Sequence, residues 1–337
     1  MSALQLKLFD PNGDSSGPRL SEIYRRLLPR LPAEISKRSL VEHRTSLKHW
    51  HASTADPPVR DVTSSHLEQL RDYLIGRGLS PATINKVWRT LRSFFRFAVD
   101  ELHTLDRVPA ISHRSKARLV KEPEPTQRDT ISHAEIERMW LNCQSTTYPA
   151  IHPADRVLLW RCFLVMAWAY GQRTHDLVRL PRSAILWNSG IVRWAADKTG
   201  KLQGLPLIPV VRVHLLRWLA IAGESARLFD PLRRAGHFAT RSGRWSVGYY
   251  TTWRRELTDG LQSLQIKNFR QTMVTELNDL HAGVGGWAAG HSQPGVTERH
   301  YDQPTSRVRD AFARRAVPPC FLWGVSDEEL RGNSPGN

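Results

Sequence analysis

The chain opens without a regular apolar pattern and then becomes strongly periodic. Residues 1–17 are rich in Asp, Asn, Gly, Ser and Pro, a composition that favours a flexible leader over a packed element. Behind Ser65 and Glu68, Leu67, Leu70 and Leu74 recur at helical spacing, which predicts a helix opened by a capping box and ended by Gly76 and Gly78. Next, Ser80 and Pro81 supply an N-cap and a first helical residue, and Ile84, Val87, Trp88, Leu91, Phe95 and Ala98 trace one buried face. Arg89, Arg92 and Arg96 line up beside that face, a stripe suited either to solvent or to a polyanion. A helical domain over residues 18–106 is the expectation.

Residues 107–128 carry three prolines and many charges without periodicity, the mark of an interdomain linker. A second domain over 129–316 opens on another capping box, Ser132 with Glu135. The apolar run Val157–Tyr170, broken only by Arg161, reads as a buried helix and is too short to span a bilayer. Ala184–Trp187, Ile191–Ala195 and Leu205–Pro209, separated by turn residues, predict three short strands, with helix resuming near Val211. The fold class expected is mainly α with a small antiparallel β-sheet, a helical domain followed by an α+β domain.

Charge narrows the function. Forty-eight Lys and Arg face 32 Asp and Glu, a net +16 with a pI near 10.4, and the excess is +8 on either side of residue 128. Two basic domains gripping one duplex account for such a split better than a basic tail on a neutral enzyme. The cations form no single amphipathic or juxtamembrane cluster, so an anionic membrane surface is disfavoured as the partner. Nothing resembling a secretion signal leads the chain, and a cytoplasmic, nucleoid-associated location is expected. Cys143, Cys162 and Cys320 are widely separated, which suggests neither a disulfide framework nor a zinc site.

Breaking a phosphodiester without a metal requires a nucleophile, an acid for the leaving oxygen and cationic donors for the phosphate oxygens. The second domain offers each in order: Arg173 in Tyr-Gly-Gln-Arg-Thr-His-Asp-Leu, Lys198 in Asp-Lys-Thr-Gly-Lys, Lys267 and Arg270 in Lys-Asn-Phe-Arg, His291 in Gly-His-Ser, and Tyr301 ten residues on. Lys267 and Arg270 share a helix face, with Phe269, Met273 and Leu277 as its buried stripe. Each group taken alone has a plain structural reading: surface ion pairing for the arginines, a solvated turn for Lys198, a helix start for His291, a half-buried phenol for Tyr301.

The ordered set resembles the tyrosine recombinase, or phage integrase, family. Its signature is an Arg in G-x-R-x-x-E/D-L, a hairpin Lys, H/K-x-x-R, G-H-[ST] and a Tyr about ten residues later. Ser80-Pro81-Ala82-Thr83-Ile84-Asn85 leading to Phe94-Phe95-Arg96-Phe97-Ala98 is also similar to that family's helical core-binding domain. The resemblance implies a core-binding domain over 18–106, with Arg89, Arg92 and Arg96 on double-stranded DNA, and a catalytic domain over 129–316. In that domain Arg173 and Arg270 would clamp the scissile phosphate and Lys198, with Lys201 as its competitor, would protonate the leaving oxygen. His291 would bind phosphate or orient the nucleophile, Lys267 would donate to phosphate, and Tyr301 would form a 3′-phosphotyrosine. The family pattern usually has His where Lys267 stands and Glu where Asp176 stands, and frequently His at Gln271 and Leu at Ala289.

No cofactor, ATP or metal is implied. A site-specific DNA recombinase working as a tetramer on two DNA sites is the expected function. Two alternatives stand beside it: a non-catalytic DNA-binding protein that has kept the fold, disfavoured by retention of all five polar elements, and a type IB topoisomerase-like enzyme, disfavoured by the helical N-terminal domain. The tail 317–337, with Val317-Pro318-Pro319 before Phe321-Leu322-Trp323, presents an apolar patch that needs a partner. The family's habit of passing this segment to a neighbour implies docking in trans, with docking on its own domain as the alternative.

Overall fold

The computed structural model describes residues 17–31, 37–110, 118–122, 130–195, 202–234, 252–261, 264–290 and 305–332. The chain divides into two compact units, Met1–Pro125 and Thr126–Asn337.

The first unit is helical: α1 (Leu20–Leu27), α2 (Lys37–Thr54), α3 (Ser64–Gly76) and α4 (Pro81–Asp100). The apolar positions predicted on α3 and α4 are buried, and they close over Leu20, Ile23 and Trp50. Ser80 Oγ accepts the Thr83 N–H at 3.4 Å and Pro81 occupies the first helical position, so local chemistry sets the start of α4. The start of α3 differs from expectation. Thr63, not Ser65, is the cap, and its backbone N–H donates to His66 Nδ1 at 3.2 Å. A histidine can accept this bond as a glutamate would, so the helix begins earlier while the phase of Leu67, Leu70 and Leu74 is unchanged.

Asn85 lies on the apolar face of α4, 1% exposed, because its amide is fully used by a later segment. Its Oδ1 accepts from the Leu119 and Val120 N–H groups at 2.9 and 3.1 Å, and its Nδ2 donates to Val120 O and Glu122 Oε1 at 2.9 and 2.8 Å. Residues 118–122, read from sequence as part of a free linker, are therefore strapped to the first unit, with Leu119 in its core.

The second unit is built around α6 (Pro153–Tyr170), which follows α5 (His133–Asn142). From Leu159 to Tyr170 every residue except Arg161 is buried, as befits a helix apolar on all sides. Short α7 (Thr174–Val178) leads to the antiparallel sheet β1 (Ile185–Leu186), β2 (Ile191–Ala195) and β3 (Leu202–Pro206), in that spatial order. The register pairs Ile191 with Pro206 and Ala195 with Leu202. The third strand thus runs three residues earlier than the sequence suggests. Pro209 cannot donate to a ladder but fits the first position of α8 (Pro209–Leu219). After α9 (Asp230–Arg234) and a π-helical turn at Trp253–Leu257 come α10 (Ile266–Leu280), α11 (Val284–Ala288) and α12 (Ser306–Arg314). No helix among the described residues is long and apolar enough to cross a membrane.

The tail does not match the trans expectation. A turn at Pro319–Leu322 and α13 (Asp327–Arg331) pack on the chain's own second unit. The Phe321 ring is fully buried, 5.3 Å from Trp140 and 5.5 Å from Trp168 between centroids. His214 Nε2 bonds Phe321 O at 2.8 Å, and since a carbonyl only accepts, this nitrogen carries the proton. Arg217 pairs with Glu329 at 2.9 Å. Two indoles and a buried imidazole on the same unit supply the partner that the apolar tail needs, leaving Leu322 and Trp323 exposed.

Candidate active site

Arg173 and Arg270 reach one locality through a chain reversal at the end of α6. Gly171 terminates that helix in the left-handed conformation, φ +51° and ψ 27°, its N–H bonded to Ala167 O at 2.9 Å. Its bare Cα faces α10: a Cβ there would lie 2.8 Å from Arg270 Cα and 2.9 Å from Met273 Cε. Glycine is therefore required twice, for its conformation and for the close approach of α10. Two residues on, Arg173 caps α7 with an exposed side chain, 3.7 Å from the buried Asp176 carboxylate.

Arg270, one turn into α10, is half-buried. It donates from Nη1 to Gly171 O at 3.3 Å and from Nη2 to Ala289 O. Burial, and then the neighbouring Arg173 charge, bring its pKa down to about 10, partly opposed by Asp176. It stays cationic at neutral pH. Two guanidiniums thus lie within electrostatic reach of each other, with the Asp176 carboxylate as a counter-charge to both, an arrangement that favours an oxyanion ligand such as phosphate. Lys267, one turn before Arg270 on the same helix face, is exposed.

The segment that leads to His291 is fixed by three donors. Gln203 of β3 donates to Trp287 O, Gln172 to Ala288 O at 3.3 Å, and Arg270 to Ala289 O. These carbonyls lie at the C-terminal end of α11, where helix carbonyls run short of intrahelical donors. Asn278 Oδ1 accepts the Gly285 N–H at 2.9 Å and holds the start of that helix. Gln172 and Gln203 are both buried, and sequence reasoning missed them. Gln172 beside Arg173 could have been suspected from its place in the motif, whereas Gln203 gave no signal.

Of the predicted catalytic set, Arg173, Lys267 and Arg270 are described. Lys198, in the 196–201 connection of the sheet, His291 and Tyr301 lie outside the described residues. On α4, Arg89 and Arg96 are exposed; Arg92 is half-buried, its Nε shielded without a hydrogen-bond partner. Among the described residues no cluster of three His, Cys, Asp or Glu could hold a metal.

Known proteins share this architecture. A lambda integrase dimer bound to a core site superposes with a TM-score of 0.59 at 16% identity, over 85% of this chain and 97% of that one. A Tn1549 transposon integrase in complex with transposon right end DNA gives 0.63 at 13% identity, over 87% and 98%. The fold is accordingly that of the phage and transposon integrases. In sequence, residues 30–102 match the phage integrase N-terminal SAM-like domain. A tyrosine recombinase XerC of Erythrobacter litoralis (strain HTCC2594) is 26% identical over 162 residues, 47% of this chain and 48% of that relative, so the match spans about half its length. The matched domain and the matched relative both come from the tyrosine recombinase, or phage integrase, family, to which the ordered motifs of this chain are also similar.

Proposed function

We propose that this protein is a site-specific DNA recombinase that cuts and rejoins strands through a 3′-phosphotyrosine at Tyr301. The Tyr301 phenol gives up its proton to solvent as its oxygen attacks the phosphorus, the bond to the 5′ oxygen breaks, and that oxygen takes a proton from Lys198. Religation reverses the step, so the phosphodiester energy is kept in the phosphotyrosine and no ATP is used. Arg173 and Arg270 stabilise the charge on the non-bridging oxygens, with Lys267 and His291 as further donors. Arg89, Arg92 and Arg96 grip duplex DNA from the first unit by phosphate contact. The working assembly is a tetramer on two DNA sites, acting in the cytoplasm on the nucleoid and needing neither metal nor cofactor.

The observation that carries this reading is the pairing of Arg173 with Arg270, two cations held together despite their repulsion. Such a cost is tolerated where an anion is to be bound. The test is covalent trapping on DNA with a nick beside the cleavage position. Wild type should form a protein–DNA adduct that persists in EDTA, and Tyr301→Phe should bind the same DNA and form none. An adduct in the Phe variant, or cleavage that strictly requires a divalent metal, would overturn the assignment.

A further inference from the structure

Arg315 follows the last turn of α12 and is among the most deeply buried charges described, its side chain 1% exposed. Its Nε donates to Glu276 Oε2 of α10 at 2.6 Å. Its Nη1 donates to Trp168 O and Ala169 O of α6 at 2.7 and 3.1 Å, and its guanidinium carbon sits 4.2 Å from the Trp168 ring centroid. Such burial strips water from a cation and lowers its pKa. A charge is kept there only when its partners are specific.

The partners identify the role. Trp168 and Ala169 lie in the last turn of α6, whose final carbonyls find no N–H donor within the helix and form the negative end of its dipole. Arg315 caps that end, and the next residues are Gly171, Gln172 and Arg173. Glu276, its other partner, lies on α10 less than two turns beyond Arg270. One side chain therefore joins the helix end that delivers Arg173 to the helix that carries Arg270. It also anchors the C-terminal end of α12, whose N-terminal end begins five residues after Tyr301 in sequence.

Resting on the recombinase reading above, we propose that Arg315 is a positioning residue of the strand-cleavage reaction: it fixes the spacing of the two phosphate-binding arginines without touching DNA. A merely structural arginine would act only through the folded fraction. A positioning one changes the rate inside the folded population, because misplacement of reacting groups by about 1 Å slows a reaction by roughly 100-fold.

The test uses the full chain on nicked DNA, measuring single-turnover adduct formation, half-saturating DNA concentration and melting temperature for wild type, Arg315→Met, Arg315→Lys and the double variant Arg315→Met with Glu276→Met. Phe229→Leu, a core change against Phe163, serves as the control for lost stability. At a temperature where each variant is folded, Arg315→Met should slow the saturated rate by roughly 100-fold and leave half-saturation unchanged. Arg315→Lys, which keeps the charge but not the planar fork, should fall between.

The double variant removes both charges and should regain melting temperature without regaining rate. Recovery of rate together with melting temperature would overturn the inference, as would an Arg315→Lys variant that cleaves at the wild-type rate. If Arg315→Met does not fold, the Lys and double variants decide the matter alone. Failure of wild type itself to form an adduct overturns the recombinase reading and this inference with it, an outcome distinct from a wild-type adduct with indifferent Arg315 variants.

Discussion

Replacing Gly171 by alanine tests the close approach on which the arginine pair depends. The new Cβ would sit 2.8 Å from Arg270 Cα and 2.9 and 3.1 Å from Met273 Cε and Cβ. Carbon atoms rest about 3.5–4.0 Å apart, so α10 must retreat by roughly 1 Å at Arg270. Overpacking of this kind costs about 1–3 kcal/mol. The left-handed backbone adds about 1–2 kcal/mol for a residue with a Cβ, and the stiffer unfolded chain offsets about 0.4–1 kcal/mol. The net expectation is a destabilisation of about 3 kcal/mol. Gly190 provides the control, with φ +61° and nothing within 4 Å of its added Cβ. Gly190→Ala should cost only about 1 kcal/mol, the conformational part. Guanidinium unfolding of the two variants, followed by tryptophan fluorescence, measures the difference. Covalent trapping should then show the Gly171 variant slowed far more than the Gly190 one. Equal stability losses for the two alanines would refute the packing argument, because they would mean that no helix needs to move.

Other consequences can be measured on the same protein. Asn85→Ala removes both acceptor and donor for residues 119–122 and should destabilise the first unit by about 1–3 kcal/mol, with faster hydrogen exchange at the Leu119 and Val120 amides; unchanged protection there would show that the strap is not held by Asn85. Burial brings the His214 pKa from 6.5 down to about 4, partly opposed by its bond to Phe321 O. The unfolded state then binds more protons between these values, so stability should fall by roughly 3 kcal/mol as pH drops from 6.5 to 4. His214→Gln should flatten that part of the urea-unfolding profile, and an identical profile would count against the buried neutral imidazole. Phe321→Ala should cost about 3–5 kcal/mol in dilute protein without DNA if the tail packs at home; a loss seen only in assembled complexes would instead favour exchange between subunits.

Much of this protein was legible before any coordinates. Helix α4 follows directly from Ser80, Pro81 and the apolar spacing behind them, because capping and periodicity are local. The burial of α6 follows from its composition, and the candidacy of Arg173, Lys267 and Arg270 from the order of short motifs. Structure departs from the local pattern where two local solutions compete. Thr63 with His66 caps α3 as well as Ser65 with Glu68 would have, and only the surrounding packing selects between them. Leu205–Pro209 is at least as apolar as the strand Leu202–Pro206, and the three-residue difference is decided by pairing with the partner strand.

Sequence alone determined the chemistry on offer, since what a guanidinium, an ammonium or a phenol can do is set by its functional group, and their order along the chain sufficed to suggest the family. Tertiary structure decided what holds those groups in place. Gln172 and Gln203 on the α11 carbonyls, Asn85 on residues 118–122, Arg315 between α6 and α10, and Phe321 in its own unit all act across 34 to 147 positions of sequence. Hydrogen bonds and buried contacts at that range are set by which surfaces meet after the chain has folded, and no local pattern of residue types carries that information.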